Sequence, residues 1–152
     1  MTQGEMMKTK KNPNAHAPKA IKAKRPSPAP VSSEVMVKQL MQRFELAFES
    51  RDIDGVLACV GPGFEWRMPD GQCVRGRRAF KKALTERFGR ANGPRFSKSR
   101  FKYYGQTVIQ TYRVALPDGK GGWLERRGCD VYKVRGGQLV RKDAFWKLNA
   151  QS

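Results

Sequence analysis

Asp130 stands out by its setting. In the segment RGCDVYKV it lies beside Val131, Tyr132 and Val134, and every other charged residue of the segment is basic. A carboxyl group in such a pattern has chemical uses. It can act as a general acid or base, or as a hydrogen-bond donor where an apolar cavity favours the neutral form. The alternative is structural, a carboxylate paired with Lys142, Arg126 or another of the many cations. Trp66, Tyr112, Tyr132 and Trp146 supply aromatic surface on predicted strands. Together they would either wall a pocket for a flat, mostly apolar ligand or fill a core. A third group, Arg75, Arg77, Arg78, Lys81 and Lys82, surrounds the start of a predicted helix. Cations and helix N–H groups together attract anions, and a solvated basic face is the plainer alternative.

Other chemistries lack residues. The single histidine, His16, falls in a Pro- and Lys-rich leader, so neither a His-based metal site nor a Ser-His-Asp triad is expected in the domain. No metal and no cofactor are expected. The three cysteines, Cys59, Cys73 and Cys129, form no C-x-x-C pair; with no secretory apolar segment, they suggest reduced thiols in the cytoplasm. No apolar run approaches the ~20 residues that span a bilayer, so no membrane partner is expected. Lys and Arg number 31 against 13 acidic residues, a net charge of +18. Such a surface attracts polyanions, including nucleic acid, weakly and without sequence preference.

The elements that must position these groups follow from periodicity. Residues 1–32 contain Pro13, Pro18, Pro26, Pro28 and Pro30 among Lys and Ala, too little apolar content to offset ordering entropy. A disordered basic tail is expected there, and a folded domain over 33–150. Ser33 reads as the N-cap of a first helix whose stripe is Val37, Leu40, Met41, Phe44 and Phe48. Asp52 reads as the cap of a short second helix through Val56, Leu57 and Val60, stopped by Gly61-Pro62-Gly63. A strand over 64–68 leads into the turn Pro69-Asp70-Gly71. A third helix over 77–88 turns Phe80, Ala83, Leu84 and Phe88 inward. Strands are expected over 96–104, 107–116, 123–134 and 138–148, the last two joined by Gly136-Gly137. Three helices followed by a mostly antiparallel sheet define an α+β chain, and a curved sheet would leave a cavity beneath the helices.

This order, with Arg51-Asp52-Ile53-Asp54-Gly55 after the first helix, Phe64-Glu65-Trp66, the Pro69-Asp70-Gly71 turn, the helix start Gly76-Arg77-Arg78-Ala79-Phe80 and the final hairpin, resembles the nuclear transport factor two-like superfamily. Within it, the SnoaL-like and ketosteroid isomerase-like branch is the nearest in pattern, over roughly residues 33–148. The resemblance implies a cone-shaped barrel of curved, mostly antiparallel sheet packed on three N-terminal helices, usually dimeric, with a pocket at the open end. Polyketide cyclases, isomerases, epoxide hydrolases and dehydratases share that fold. Residue by residue, little transfers. The isomerase tyrosine falls on Phe44 and the isomerase base on Met68; only the protonated aspartate of the last hairpin has a counterpart, Asp130. The pocket aspartate of limonene epoxide hydrolases falls on Ala144, and their Arg-x-Asp element has a partial echo in Arg113-Val114-Ala115.

The same resemblance supplies a side-chain parity. With Asp130 inward, Tyr132 and Val134 follow; Lys142, Ala144, Trp146 and Leu148 point inward across the turn, as do Trp66 and Met68, and Asp143 points away. The expected function is binding of a small hydrophobic or carbonyl-containing molecule in the cone, with Asp130 as the catalytic acid–base group. The expected pocket comprises Trp66, Met68, Tyr112, Tyr132, Lys142 and Trp146. The protein would work as a homodimer. The alternatives are a non-enzymatic basic module for nucleic acid or an acidic protein, or a dimerisation unit with a filled cavity.

Overall fold

The structure, a computed structural model, describes residues 33–147. The expected basic tail and Leu148 lie outside the described residues. Helix α1 (Ser33–Glu49) buries Val37, Leu40, Met41, Phe44 and Ala47, one stripe at helical spacing. Ser33, expected as its cap, is its first residue. Glu34 and Lys38, one turn apart, pair at 2.8 Å on the exposed side. Helix α2 (Ile53–Ala58) is capped by Asp52, whose side chain accepts from the Gly55 backbone N–H at 3.0 Å. A Cβ at Gly55 would overlap the Asp52 carboxylate, so the cap requires glycine there.

The second helix stops short of Val60, where strand β1 (Val60–Arg67) begins. Long-range pairing overrides the local helical pattern at this point. Val60 pairs with Leu139, and the Leu139 N–H donates to the Cys59 carbonyl at 2.9 Å. The register shifts between Val60 and Glu65, which accommodates Gly61-Pro62-Gly63 without asking Pro62 to donate to the ladder. After the Pro69-Asp70-Gly71 turn comes a short strand that local pattern did not suggest, β2 (Cys73–Arg75), antiparallel to β1. Helix α3 (Arg77–Phe88) then packs Phe80 and Leu84 into the core.

The remaining strands are β3 (Arg95–Tyr104), β4 (Thr107–Pro117), β5 (Trp123–Arg135) and β6 (Gln138–Trp146). Gly136 and Gly137 have φ of 58° and 73°, the positive values that let a two-residue turn join β5 to β6. The six strands run in the order β2-β1-β6-β5-β4-β3 as one open α+β sheet, antiparallel except for β1 beside β6. Phe64, Trp66, Val108, Tyr132 and Leu139 on its inner face join the apolar sides of α1 and α3 in the core. Among the described residues no helix is long and apolar enough to cross a membrane.

Candidate active site

Three rows cross β4, β5 and β6 on the inner face. They are Val108, Tyr132 and Lys142; Gln110, Asp130 and Ala144; and Tyr112, Gly128 and Trp146. The second and third rows each contain a small residue, and the polar groups meet there on the diagonals. Asp130 is 2% exposed and Lys142 9%, the two buried charged side chains among the described residues. The Tyr112 hydroxyl donates to Asp130 Oδ1 at 2.7 Å and accepts from Trp146 Nε1 at 2.9 Å. Lys142 Nζ lies 3.4 Å from Asp130 Oδ2. The Tyr132 hydroxyl donates to Gln110 Oε1 at 2.7 Å, and Asp130 Oδ2 is 3.5 Å from the same hydroxyl.

Gly128 makes the central contact possible. It lies opposite Tyr112 in the ladder, and a Cβ there would overlap the Tyr112 ring. With no side chain in the way, the phenol crosses the β5 backbone and reaches Asp130. Burial is the main reason the Tyr112 and Tyr132 phenols titrate above their ordinary range, with Asp130 adding to it. Both therefore remain donors at neutral pH. Burial also pushes the Lys142 ammonium below its ordinary value, against the pull of Asp130, and Arg87 adds to the depression. Four aromatic rings surround that ammonium: Phe48 at 5.0 Å, Trp66 and Tyr132 at 5.6 Å, and Phe44 at 5.9 Å. Ring faces offset part of the desolvation of a buried cation.

A cavity of about 470 Å³ opens onto this cluster. That volume falls within the ligand-site range, so side chains do not fill the cone. Phe44, Tyr112, Asp130, Tyr132 and Lys142 line it. Trp66, Met68 and Trp146, expected in the same wall, do not. Trp66 packs edge-on against Phe80 at 5.6 Å, behind the Lys142 ammonium, and Met68 packs on the margin of the core. Trp146 reaches the site only through its hydrogen bond to Tyr112. Asp143 turns from the cluster toward Arg67, 3.6 Å away.

Sequence reasoning missed Gln110 and Arg87, which also line the cavity. Both were readable. Gln110 precedes Tyr112 by one strand period, and Arg87 continues the Phe80, Ala83, Leu84 stripe of α3. The basic cluster at the start of α3 does not act as one unit. Arg77 donates to the carbonyls of Leu57 at 3.2 Å and Val60 at 2.9 Å, tying α3 to the α2–β1 junction. Arg75 lies 3.8 Å from Glu65, while Arg78, Lys81 and Lys82 are exposed. Among the described residues no group of three His, Cys, Asp or Glu side chains is arranged to hold a metal.

The family model for the SnoaL-like domain matches residues 41–142, a span that contains every residue of the cluster except Trp146. The chain belongs to the SnoaL-like domain family. Its fold recurs in solved structures of nuclear transport factor two-like proteins. A candidate polyketide cyclase from Xanthomonas campestris pv. campestris is 21% identical, with 76% of this chain and 93% of that one covered and a TM-score of 0.66. TerC, co-crystallised with polyporic acid, is 19% identical over 74% of this chain and 92% of its own, with a TM-score of 0.64. A limonene epoxide hydrolase-like epoxide hydrolase of M. tuberculosis is 21% identical over 76% and 86%, with a TM-score of 0.64. At these identities the likeness establishes the fold of the SnoaL-like domain and leaves its chemistry to the residues. No curated protein gives a significant match.

Proposed function

We propose that this SnoaL-like domain binds a small, largely apolar, carbonyl-containing molecule in the cone and that Asp130 moves a proton on it. The observation that carries the reading is Asp130 itself, a buried carboxyl at the wall of a cavity of about 470 Å³ that accepts from Tyr112 at 2.7 Å and pairs with Lys142 at 3.4 Å. A carboxylate offers about four lone-pair sites, so these partners orient it and leave an acceptor for a substrate C–H or O–H. In the base direction, Asp130 takes a proton from the carbon next to a carbonyl, and the C–H electron pair moves onto the carbonyl oxygen as an enolate. Lys142 would neutralise part of that charge. Returning the proton to the γ-carbon of a conjugated enolate completes an isomerisation. Where the enolate carbon instead attacks a second carbonyl carbon of the same molecule, the C=O π pair moves to oxygen, and delivering the proton to that alkoxide completes a ring closure. The family's ring-modifying members make this chemistry a natural expectation, and Phe44 and Met68 in place of two isomerase polar groups argue against steroids as substrates.

The test needs no knowledge of the natural substrate. 2-Tetralone carries activated α-hydrogens, and their exchange in D2O is followed by proton NMR. The full chain should accelerate exchange, and Asp130→Asn should remove the acceleration while circular dichroism stays near wild type. Wild-type exchange no faster than in buffer with a matched concentration of acetate would sink the proton-transfer reading.

A second reading rests on a separate observation. On the outer sheet face, Lys98, Arg100, Arg113, Arg127 and Lys147 surround an open groove, and among the residues lining it there is no acid. Arg113 pairs with Glu125, which leaves the others to meet a polyanion such as nucleic acid. Retention on a heparin column that falls steeply with salt, and falls further in Arg100→Glu/Arg127→Glu, would support it.

A further inference from the structure

The proposed cavity contains a second inner cation, and its surroundings narrow the ligand class. Arg87 lies on α3 and lines the cavity. Its guanidinium sits over three rings, 5.5 Å from the centroid of Phe48, 5.3 Å from Trp66 and 5.2 Å from Phe96. Contact with three ring faces holds the group among aromatic walls, and a guanidinium held this way still has N–H groups with which to donate. Among the described residues, no carboxylate comes within ion-pair distance of Arg87 and no hydrogen bond engages its side-chain N–H groups. Burial lowers its affinity for the proton, although an arginine remains charged in practice.

Charge balance in the cavity runs the same way. Lys142 already has Asp130, so the two inner cations share one carboxylate. Across the whole lining, six cationic residues face three acids, Asp130, Glu45 and Glu49. Burial and the neighbouring Glu49 push the Glu45 carboxyl above its ordinary value. A half-buried guanidinium with unused donors, beside aromatic walls and a surplus of positive charge, is complementary to a flat anion. We infer that Arg87 is an anion-binding residue of the cavity, and that the ligand carries a carboxylate or a comparably flat oxyanion on an aromatic or polycyclic body. The edge of Arg87 receives the anion in two parallel hydrogen bonds, while Phe48 and Phe96 flank the rings. This inference rests on the proposed ligand-binding role of the cavity.

Two probes of equal shape separate the inference from that role. 2-Naphthoate and 2-acetylnaphthalene share a ring system and differ in charge. Their dissociation constants are measured by titration calorimetry on the full chain at about 0.15 M salt, where the Debye length of about 8 Å screens the exterior. The wild type should bind 2-naphthoate about tenfold or more tighter than the ketone, the factor expected of about 1.4 kcal/mol from charge-assisted hydrogen bonds. Arg87→Gln should weaken 2-naphthoate far more than the ketone and bring the ratio near one. Arg87→Met preserves the stacked stem if the Gln variant folds poorly, and the same collapse of the ratio is expected. Equal binding of both probes by the wild type overturns the inference and leaves the cavity reading intact. A preference that survives both variants also overturns it, assigning the anion to Lys142 or to the basic exterior. If neither probe binds, the cavity reading falls and takes the inference with it.

Discussion

Asp130 and Asp143 are the same acid on neighbouring strands, with Val131 opposite Asp143 and Ala144 opposite Asp130 in the ladder. Strand alternation sends them to opposite faces. The inner one is 2% exposed and contacts a phenol and an ammonium that are themselves buried. The outer one keeps 25% of its side-chain surface and faces an Arg67 that keeps 42%. The difference lies in what water can do. At Asp143 solvent screens the pair and can replace either partner. At Asp130 solvent is scarce, so each group depends on the others, and removing one leaves a desolvated charge or donor behind.

The largest expected effect breaks the inner cluster at its centre. Asp130→Ala leaves Lys142 buried without a counter-ion and should cost on the order of 3–5 kcal/mol in urea unfolding. Replacing both members with apolar residues of similar shape, Asp130→Leu with Lys142→Met, should recover much of that loss, because the buried ammonium is removed together with its counter-ion. A double variant no more stable than Asp130→Ala would show that the cluster is not governed by this pair. Next comes Gly128→Ala, whose new methyl displaces the Tyr112 ring. A loss of about 1–3 kcal/mol is expected from overpacking, with altered Trp146 fluorescence as its indole loses the Tyr112 hydroxyl.

Tyr112→Phe sharpens the comparison through pH. The variant should lose about 1–2 kcal/mol near neutrality, since Asp130 loses a buried donor. The Tyr112 phenol titrates above its ordinary value when folded. Its contribution is therefore fully present below about pH 10, and it declines above that as the unfolded chain releases the proton first. Lys142, with a depressed folded value, acts in the opposite direction below its ordinary pKa of 10.5. The decisive readout is accordingly the gap between wild type and Tyr112→Phe, which should narrow as pH rises from 9 to 11 by urea titration. A gap that widens would contradict the burial of the phenol. The smallest effect is expected on the outer face. Asp143→Asn should change stability by less than about 1 kcal/mol, and by less still at high salt.

Much of the scaffold was legible because it is periodic. The apolar stripe of α1, the Gly136-Gly137 turn and the alternation through Asp130, Tyr132 and Val134 each repeat a local rule, and local rules survive without knowledge of partners. The end of α2 was not, because Val60 is drawn into β1 by Leu139, a residue far along the chain. Nor was β2, a short edge strand that exists only because β1 offers it a ladder. Within the candidate site, sequence suggested the carboxylate and three of its neighbours, Tyr132 and Lys142 by the family parity and Tyr112 as a pocket aromatic. It did not suggest that Tyr112 is the donor, since that bond depends on Gly128 lying directly opposite the tyrosine on the neighbouring strand.

What the sequence determined by itself is the main elements other than β2, the alternation of side chains along each strand, and the excess of positive charge. Those follow from backbone periodicity and from composition, which act residue by residue. The family resemblance supplied which face is the inner one. Only the tertiary structure decided which groups share the cavity. It set Trp66 behind Lys142 rather than in the wall, and brought Arg87 from a helix to the same cavity as Asp130 on a strand. It also left that guanidinium without a carboxylate at ion-pair distance among the described residues. The reason is physical: a charge's cost and use depend on distance and on exclusion of water, and both are properties of packing between elements distant in sequence.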